Sequence, residues 1–258
     1  MSWMKKNLYT LAIPISLTFS TLSALSVQAH SQKGFVDTPV DTQKVRTWQI
    51  SQTFKTPNRG TPPATAGGAT RGGCTEKKGY LTSLMPKQKL GLTVNEYPTF
   101  FWHMSKPEVK TAEFLLLDDN DDLVYETNLK LPKKPGIFSF TLPSEAPALK
   151  VNKLYHWYLS VNCSSEETDE DITIEGWVER TKPSLALRIK LNNLAPKYRS
   201  KVYADAGIWH EAITNVAQQR CSFPSDSNVM LNWKKLLTSV GLNKVVSEPL
   251  NNICEIQS

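Results

Sequence analysis

Between residues 80 and 180 the chain is a succession of short apolar or alternating segments broken by turn residues, and this constrains the fold more than any other feature. Candidate strands cover 80–85, 90–94, 98–104, 111–118, 122–130, 136–142, 153–163 and 172–180. Eight such segments at this spacing predict an all-β sandwich of immunoglobulin-like type. In YHWYLSVNC, Tyr155, Trp157, Leu159, Val161 and Cys163 share one face at period two, with His156, Tyr158, Ser160 and Asn162 between them. GIFSFTL alternates in the same way, with Phe138, Phe140 and Leu142 on one side. FLLLDDNDDLVYE reads as a hairpin whose turn spans 118–122.

After Pro183 the period changes. LALRIKLNNLA places Leu187, Leu191 and Leu194 on one helical face. Pro196 suits the first turn of a following helix. Tyr203, Gly207, Trp209, Ala212 and Pro224 match a tetratricopeptide-like helix pair. Gly207 and Gly241 are 34 residues apart, which is that repeat's period. The expected class is therefore α+β, with a sandwich over 74–182 and a short tetratricopeptide-like module over 183–258.

Residues 1–29 read as a secretory signal peptide. Lys5 and Lys6 precede an uncharged apolar core over 8–22, and Val27-Gln28-Ala29 supplies the small residues of a cleavage site. Cleavage would leave 258 − 29 = 229 residues, enough for a sizeable core. The later apolar runs are far shorter than the roughly 18 residues of a membrane span, so no transmembrane segment is expected there. Residues 30–73, rich in Thr, Gln, Pro, Gly and Ser, read as a disordered linker.

Four cysteines, Cys74, Cys163, Cys221 and Cys254, remain in the exported part, an even count that predicts two disulfides. Three pairings are possible. Cys74–Cys163 with Cys221–Cys254 is favoured because each bond then staples one region. The net charge of +6 falls to +4 without the leader, of which residues 30–79 supply +5 and residues 80–258 supply −1. A basic stripe with interleaved aromatics is missing from the folded part, which argues against nucleic-acid binding.

Motifs for chemistry are sparse. His-Glu-x-x-His, Gly-x-Ser-x-Gly and a P-loop do not occur, the cysteine spacing fits no zinc site, and no cofactor is implied. Asp118, Asp119, Asp121 and Asp122 could offer oxygen ligands to calcium, but a solvated hairpin turn explains them more simply. Trp177 beside Glu175 in ITIEGWVER could face a sugar ring, although such aromatics usually belong to the core.

TRGGC at 70–74, LTSLMP at 81–86, GLTVNEYPTFFWHM at 91–104, AEFLLLDD at 112–119, VYETNLKLP at 124–132, PGIFSFTLP at 135–143, LYHWYLSVNC at 154–163, IEGWVER at 174–180 and YADAGIWHEAI at 203–213 occur in this order. Together they resemble the cyanobacterial exported family called domain of unknown function 928. The resemblance implies export and covers about residues 70–250; it brings no established activity, ligand or catalytic residue. The resulting expectation is a non-catalytic, protein-binding adaptor of the cell envelope, in the periplasm or at the outer surface, with an envelope or secretion-associated protein as partner. A polysaccharide-binding protein is the alternative, and an envelope hydrolase using Glu175 comes third.

Overall fold

A computed structural model of the chain describes residues 52–59, 62, 80–106, 109–161 and 172–257. The strands lie where the alternation predicts them: β1 Leu81–Ser83, β2 Leu90–Thr93, β3 Thr99–Met104, β4 Thr111–Leu117, β5 Leu123–Lys130, β6 Gly136–Thr141, β7 Leu154–Val161 and β8 Ile172–Arg180. Four helices come after them, α1 Leu185–Asn192, α2 Arg199–Asp205, α3 Trp209–Ser222 and α4 Ser227–Ser239.

The strands form two sheets, ordered β1-β3-β6 and β2-β8-β7-β4-β5. Their shared core is aromatic. Phe100 and Trp102 of the small sheet meet Trp157 of the large one at ring distances of 5.9 and 5.7 Å. Phe114 joins Phe100 at 5.2 Å. The period-two pattern dictates this, since it sends the rings of β3, β4, β6 and β7 to the same side. Aromatic pairs held edge-to-face or tilted add to the free energy of burial itself.

The opposite face of the small sheet carries Phe101, Ile137 and Ser139, and the C-terminal part of the chain covers it. Trp209 Nε1 donates to the Leu84 carbonyl at 2.9 Å. Asn252 brackets Ser139, accepting from its N–H at 3.0 Å and donating to its carbonyl at 2.8 Å. Strands and helices belong to one compact unit, Trp48–Ser258.

This corrects the expected fold class. Among the described residues the chain forms eight strands in two sheets, with four short helices after them. It is not an immunoglobulin-like sandwich carrying a tetratricopeptide-like module. β2 runs parallel to β8, whereas immunoglobulin sheets are antiparallel. No second repeat forms either. Gly241, at φ +87°, ends the turn after α4. Where a second helix pair should continue, the chain makes a short 3-10 turn at Asn243–Val245 and then joins the small sheet. There Ile137 N donates to the Pro249 carbonyl at 2.7 Å and Asn251 N to the Ile137 carbonyl at 2.8 Å. Pro249 cannot continue a helix, and a single helix pair cannot bury its apolar faces alone. Those faces close on β2, on the small sheet and on the C-terminal strand-like segment.

Residues 52–59, expected within the disordered linker, run along the helices. Gln52 Nε2 donates to Ser200 Oγ. Lys55 N donates to the Ala204 carbonyl at 3.0 Å. Phe54 packs edge-on against Trp209 at 5.0 Å. The polar composition of the stretch hides this one buried aromatic.

The disulfide Cys221–Cys254 joins the end of α3 to the C-terminal 3-10 turn, with its Cα atoms 5.2 Å apart. Cys74 and Cys163 lie outside the described residues.

Candidate functional site

β7 and β8 pair in antiparallel register, with Trp157 opposite Gly176, His156 opposite Trp177 and Tyr158 opposite Glu175. One face goes to the core. The other gathers His156, Tyr158, Glu175 and Trp177, as alternation requires. His156 lies flat on Trp177, with centroids 4.0 Å apart and planes 11° apart. Tyr158 Oη is 2.7 Å from His156 Nδ1, and His156 Nε2 is 3.2 Å from Glu175 Oε2. Glu175 Oε1 accepts from Lys89 Nζ at 3.1 Å.

One imidazole tautomer suits these contacts. The proton on Nε2 faces the carboxylate, and Nδ1 accepts from the Tyr158 hydroxyl. Burial lowers the His156 pKa below its ordinary value, against the opposing pull of Glu175, so the ring is neutral at neutral pH. Burial, then Glu175 and Asp121, push the Tyr158 phenol up. A carboxylate, a neutral imidazole and a phenol in a row form an oriented proton relay in principle. Here the row is closed over. His156, Trp177 and Glu175 are 4%, 6% and 7% exposed. Trp177 and Glu175 share the face expected of them, but the indole lies against His156 and is nearly covered. His156, Tyr158 and Lys89 are the partners that sequence reasoning missed. For the two on β7, alternation combined with the β7–β8 register was the available signal.

The acidic turn lies at the start of β5. Asp118 Oδ1 accepts from the backbone of Asn120 at 2.8 Å and of Asp122 at 3.2 Å. Asp119 pairs with Lys153 at 2.9 Å, and that hydrogen bond lowers its pKa. Asp118 thus caps its own turn, and Asp119 is engaged across the surface. Among the described residues no three His, Cys, Asp or Glu side chains gather as a metal-ligand group. The sequence holds another acidic run, Glu166, Glu167, Asp169, Glu170 and Asp171, which lies outside the described residues.

A second constellation joins helix to sheet through three consecutive residues. Trp209 bonds the Leu84 carbonyl. His210 Nδ1 lies 2.9 Å from the Thr99 carbonyl. Glu211 Oε1 accepts from Thr93 Oγ1 at 2.7 Å and from the backbone N–H groups of Val94 and Asn95, both at 3.0 Å. The carboxylate caps the end of β2 where its ladder stops, satisfying donors that would otherwise be unpaired. Burial lowers the His210 pKa from 6.5 to about 4, against the opposing Thr99 hydrogen bond. Burial also raises that of Glu211, which its hydrogen bonds to Thr93, Val94, its own backbone and Asn95 oppose.

The remaining helix-packing residues have local roles without a repeat. Gly207, at φ +74°, turns α2 into α3, and a Cβ there would stand 2.9 Å from the Lys55 carbonyl oxygen. Ala212 is buried, and its carbonyl accepts from Ser200 Oγ at 2.7 Å. Tyr203 is half-buried on α2, and Pro224 comes just after the end of α3.

The order of these segments along the chain has a counterpart among known families. A family model described as Domain of Unknown Function (DUF928) matches residues 66–250. The chain belongs to this family. The DUF928 region so defined contains β1 to β8 and α1 to α4. No curated protein matches the chain. Among solved structures, one of Parabacteroides merdae β-glucuronidase with glycerol in its active site is 17% identical over 33% of this chain and 11% of that one, with a TM-score of 0.21. A second structure of that enzyme is 19% identical over 39% and 13%, with a TM-score of 0.20. The chain thus spans a small fraction of those proteins, and likeness at this level carries no argument about fold or activity.

Proposed function

We propose that this DUF928 protein is an exported cell-envelope protein that works by holding a protein partner rather than by catalysing a reaction. The observation that carries this reading is the apolar end of the α3–α4 hairpin. Phe223 is 57% exposed, Met230 38% and Leu231 37%, while Trp233, Leu236 and Leu237 of the same hairpin are fully buried. Phe223 stands two residues from the Cys221–Cys254 bond. The bond holds the exposed ring on a rigid base, and a pre-ordered aromatic anchor loses little freedom on docking. Export rests on the leader at residues 1–29 and on the disulfide.

A polysaccharide stacked on Trp177 has less support, because its indole already lies against His156. Hydrolysis through Glu175 has less support for the same reason. Its two oxygens face Lys89 and His156.

The test is crosslinked affinity capture of the tagged protein from native cell envelopes, read by mass spectrometry, beside a Phe223→Ser, Leu231→Ser variant. A partner captured in stoichiometric amount by the parent and lost with the variant supports the reading. Identical capture by both proteins overturns it.

A further inference from the structure

Between Glu179 and Asp205 the chain carries six basic residues beyond the last strand, Lys182, Arg188, Lys190, Lys197, Arg199 and Lys201, and no acidic one. This stretch contains α1, in which no residue is buried. Ser184 caps the helix by accepting from Leu187 N at 3.1 Å, so its start is defined within the chain. At about 100° per residue, α1 is apolar on two opposite sides. Leu187 and Leu191, with Leu194 beyond the helix end, lie on one side and are half-buried. Leu185 and Ile189 lie on the other, 64% and 52% exposed. Arg188 and Lys190 flank that outer ridge on either side. Just beyond, Tyr198 is 48% exposed, with Lys197 Nζ 5.0 Å from its ring centre. Among the described residues none of Lys182, Arg188, Lys190 and Lys197 makes an ion pair.

A surface helix usually has one apolar face. Here the second is unpartnered and short, and the charged residues beside it are all cations. We infer that α1 docks on an anionic lipid surface, with Leu185 and Ile189 entering the headgroup boundary and the surrounding Lys and Arg side chains meeting lipid phosphates. The charge is complementary to such a plane, and long basic side chains can keep their heads at the interface while their stems stay apolar. A helix seated in a protein groove is read through anchors over two turns, at i, i+3 or i+4 and i+7. This ridge offers two anchors within one turn, which suits shallow insertion. The inference is independent of the protein-docking reading, which uses Phe223 and Leu231.

The test is flotation with vesicles of phosphatidylglycerol and phosphatidylcholine in equal parts, against phosphatidylcholine alone. The chain should begin at His30, because the apolar run at 8–22 would enter any bilayer. The compact unit Trp48–Ser258 is intact in that form. Binding should be about tenfold stronger to the anionic vesicles and should fall with added salt. Leu185→Ser with Ile189→Ser, and separately Arg188→Gln with Lys190→Gln, should each lower it about tenfold. The changed side chains are exposed, so thermal midpoints should match the parent's. Equal binding to neutral vesicles overturns the inference. So does anionic binding that survives both double variants, which would assign it to the basic stretch 30–79. Sedimentation adds a further check. A lipid-free dimer that Leu185→Ser with Ile189→Ser converts to monomer would assign the ridge to a second copy of the chain and overturn the lipid reading.

Discussion

His210 stands directly over Gly91. A Cβ added to that glycine would lie 2.6 Å from His210 Nε2 and 2.9 Å from its Cδ2. The imidazole has little room to retreat. Its other nitrogen is held at the Thr99 carbonyl, and its ring packs edge-on to Phe100 at 5.2 Å. The close approach of α3 to β2 therefore depends on a glycine in a strand, where glycine is otherwise unfavourable.

Gly91→Ala should destabilise the protein by about 1–3 kcal/mol through overpacking. Introduced into a His210→Ala background, the same change should cost much less. Urea unfolding of the four members of the cycle measures the coupling. Additive effects would mean that ring and glycine do not meet.

Stability should fall in mild acid because of His210. Its pKa is about 4 in the folded protein and 6.5 ordinarily, so below 6.5 the unfolded chain binds more protons. The contribution is complete above pH 6.5 and is lost as pH falls toward 4. It amounts to about 2 kcal/mol between about pH 7 and pH 5. Glu211, with a raised pKa, has the opposite sign, and His156, with a lowered one, has the same sign. The informative quantity is therefore a difference. His210→Asn, which keeps a donor for Thr99, should be less stable at pH 7 but should lose less on acidification than the parent. Parallel pH dependences of the unfolding midpoint would contradict this assignment.

Reduction of Cys221–Cys254 should also destabilise the fold. The bond closes a sequence separation of 33, and a loop of that length corresponds to about 4 kcal/mol of chain entropy. Cys221→Ser with Cys254→Ser should lower the thermal midpoint by several degrees. A shift below about one degree would mean that the C-terminal turn is held by its other contacts, such as Asn252 on Ser139.

The segment 52–59 should detach before the rest unfolds. Phe54 is its buried anchor, and Phe54→Ala should weaken the docking of this segment by about 1–3 kcal/mol. Trypsin should then cut after Lys55 about tenfold faster, with little change in global unfolding, as expected for a local opening. An unchanged cleavage rate would show that the backbone bonds at Phe54 and Lys55 suffice.

Most of the strand architecture was legible because it rests on local rules. The β7 segment shows this: the residues that alternate as Tyr155, Trp157, Leu159 and Val161 are the ones that line the core. Alternation also placed Trp177 and Glu175 on one face. It could not show that His156 covers the indole, because that contact depends on the register of β7 against β8. The 34-residue period misled for a comparable reason. Gly207 and Gly241 both turn with positive φ, but a shared turn does not fix the conformation of the residues beyond it. After Gly241 the chain takes its hydrogen-bond partners at the open edge of β6.

Strand positions and the change to helix after Pro183 were set by alternation and helical period, both read along the chain, while cysteine placement favoured Cys221–Cys254 among three possible pairings. Sheet order, the parallel pairing of β2 with β8, the seating of Trp209, His210 and Glu211 on the sheet and the docking of Phe54 were decided by tertiary structure. They depend on which unpaired backbone edges and apolar faces meet across long stretches of chain, from the Leu90–Trp177 pairing to the Glu211–Asn95 bond. No local propensity encodes contacts of that range.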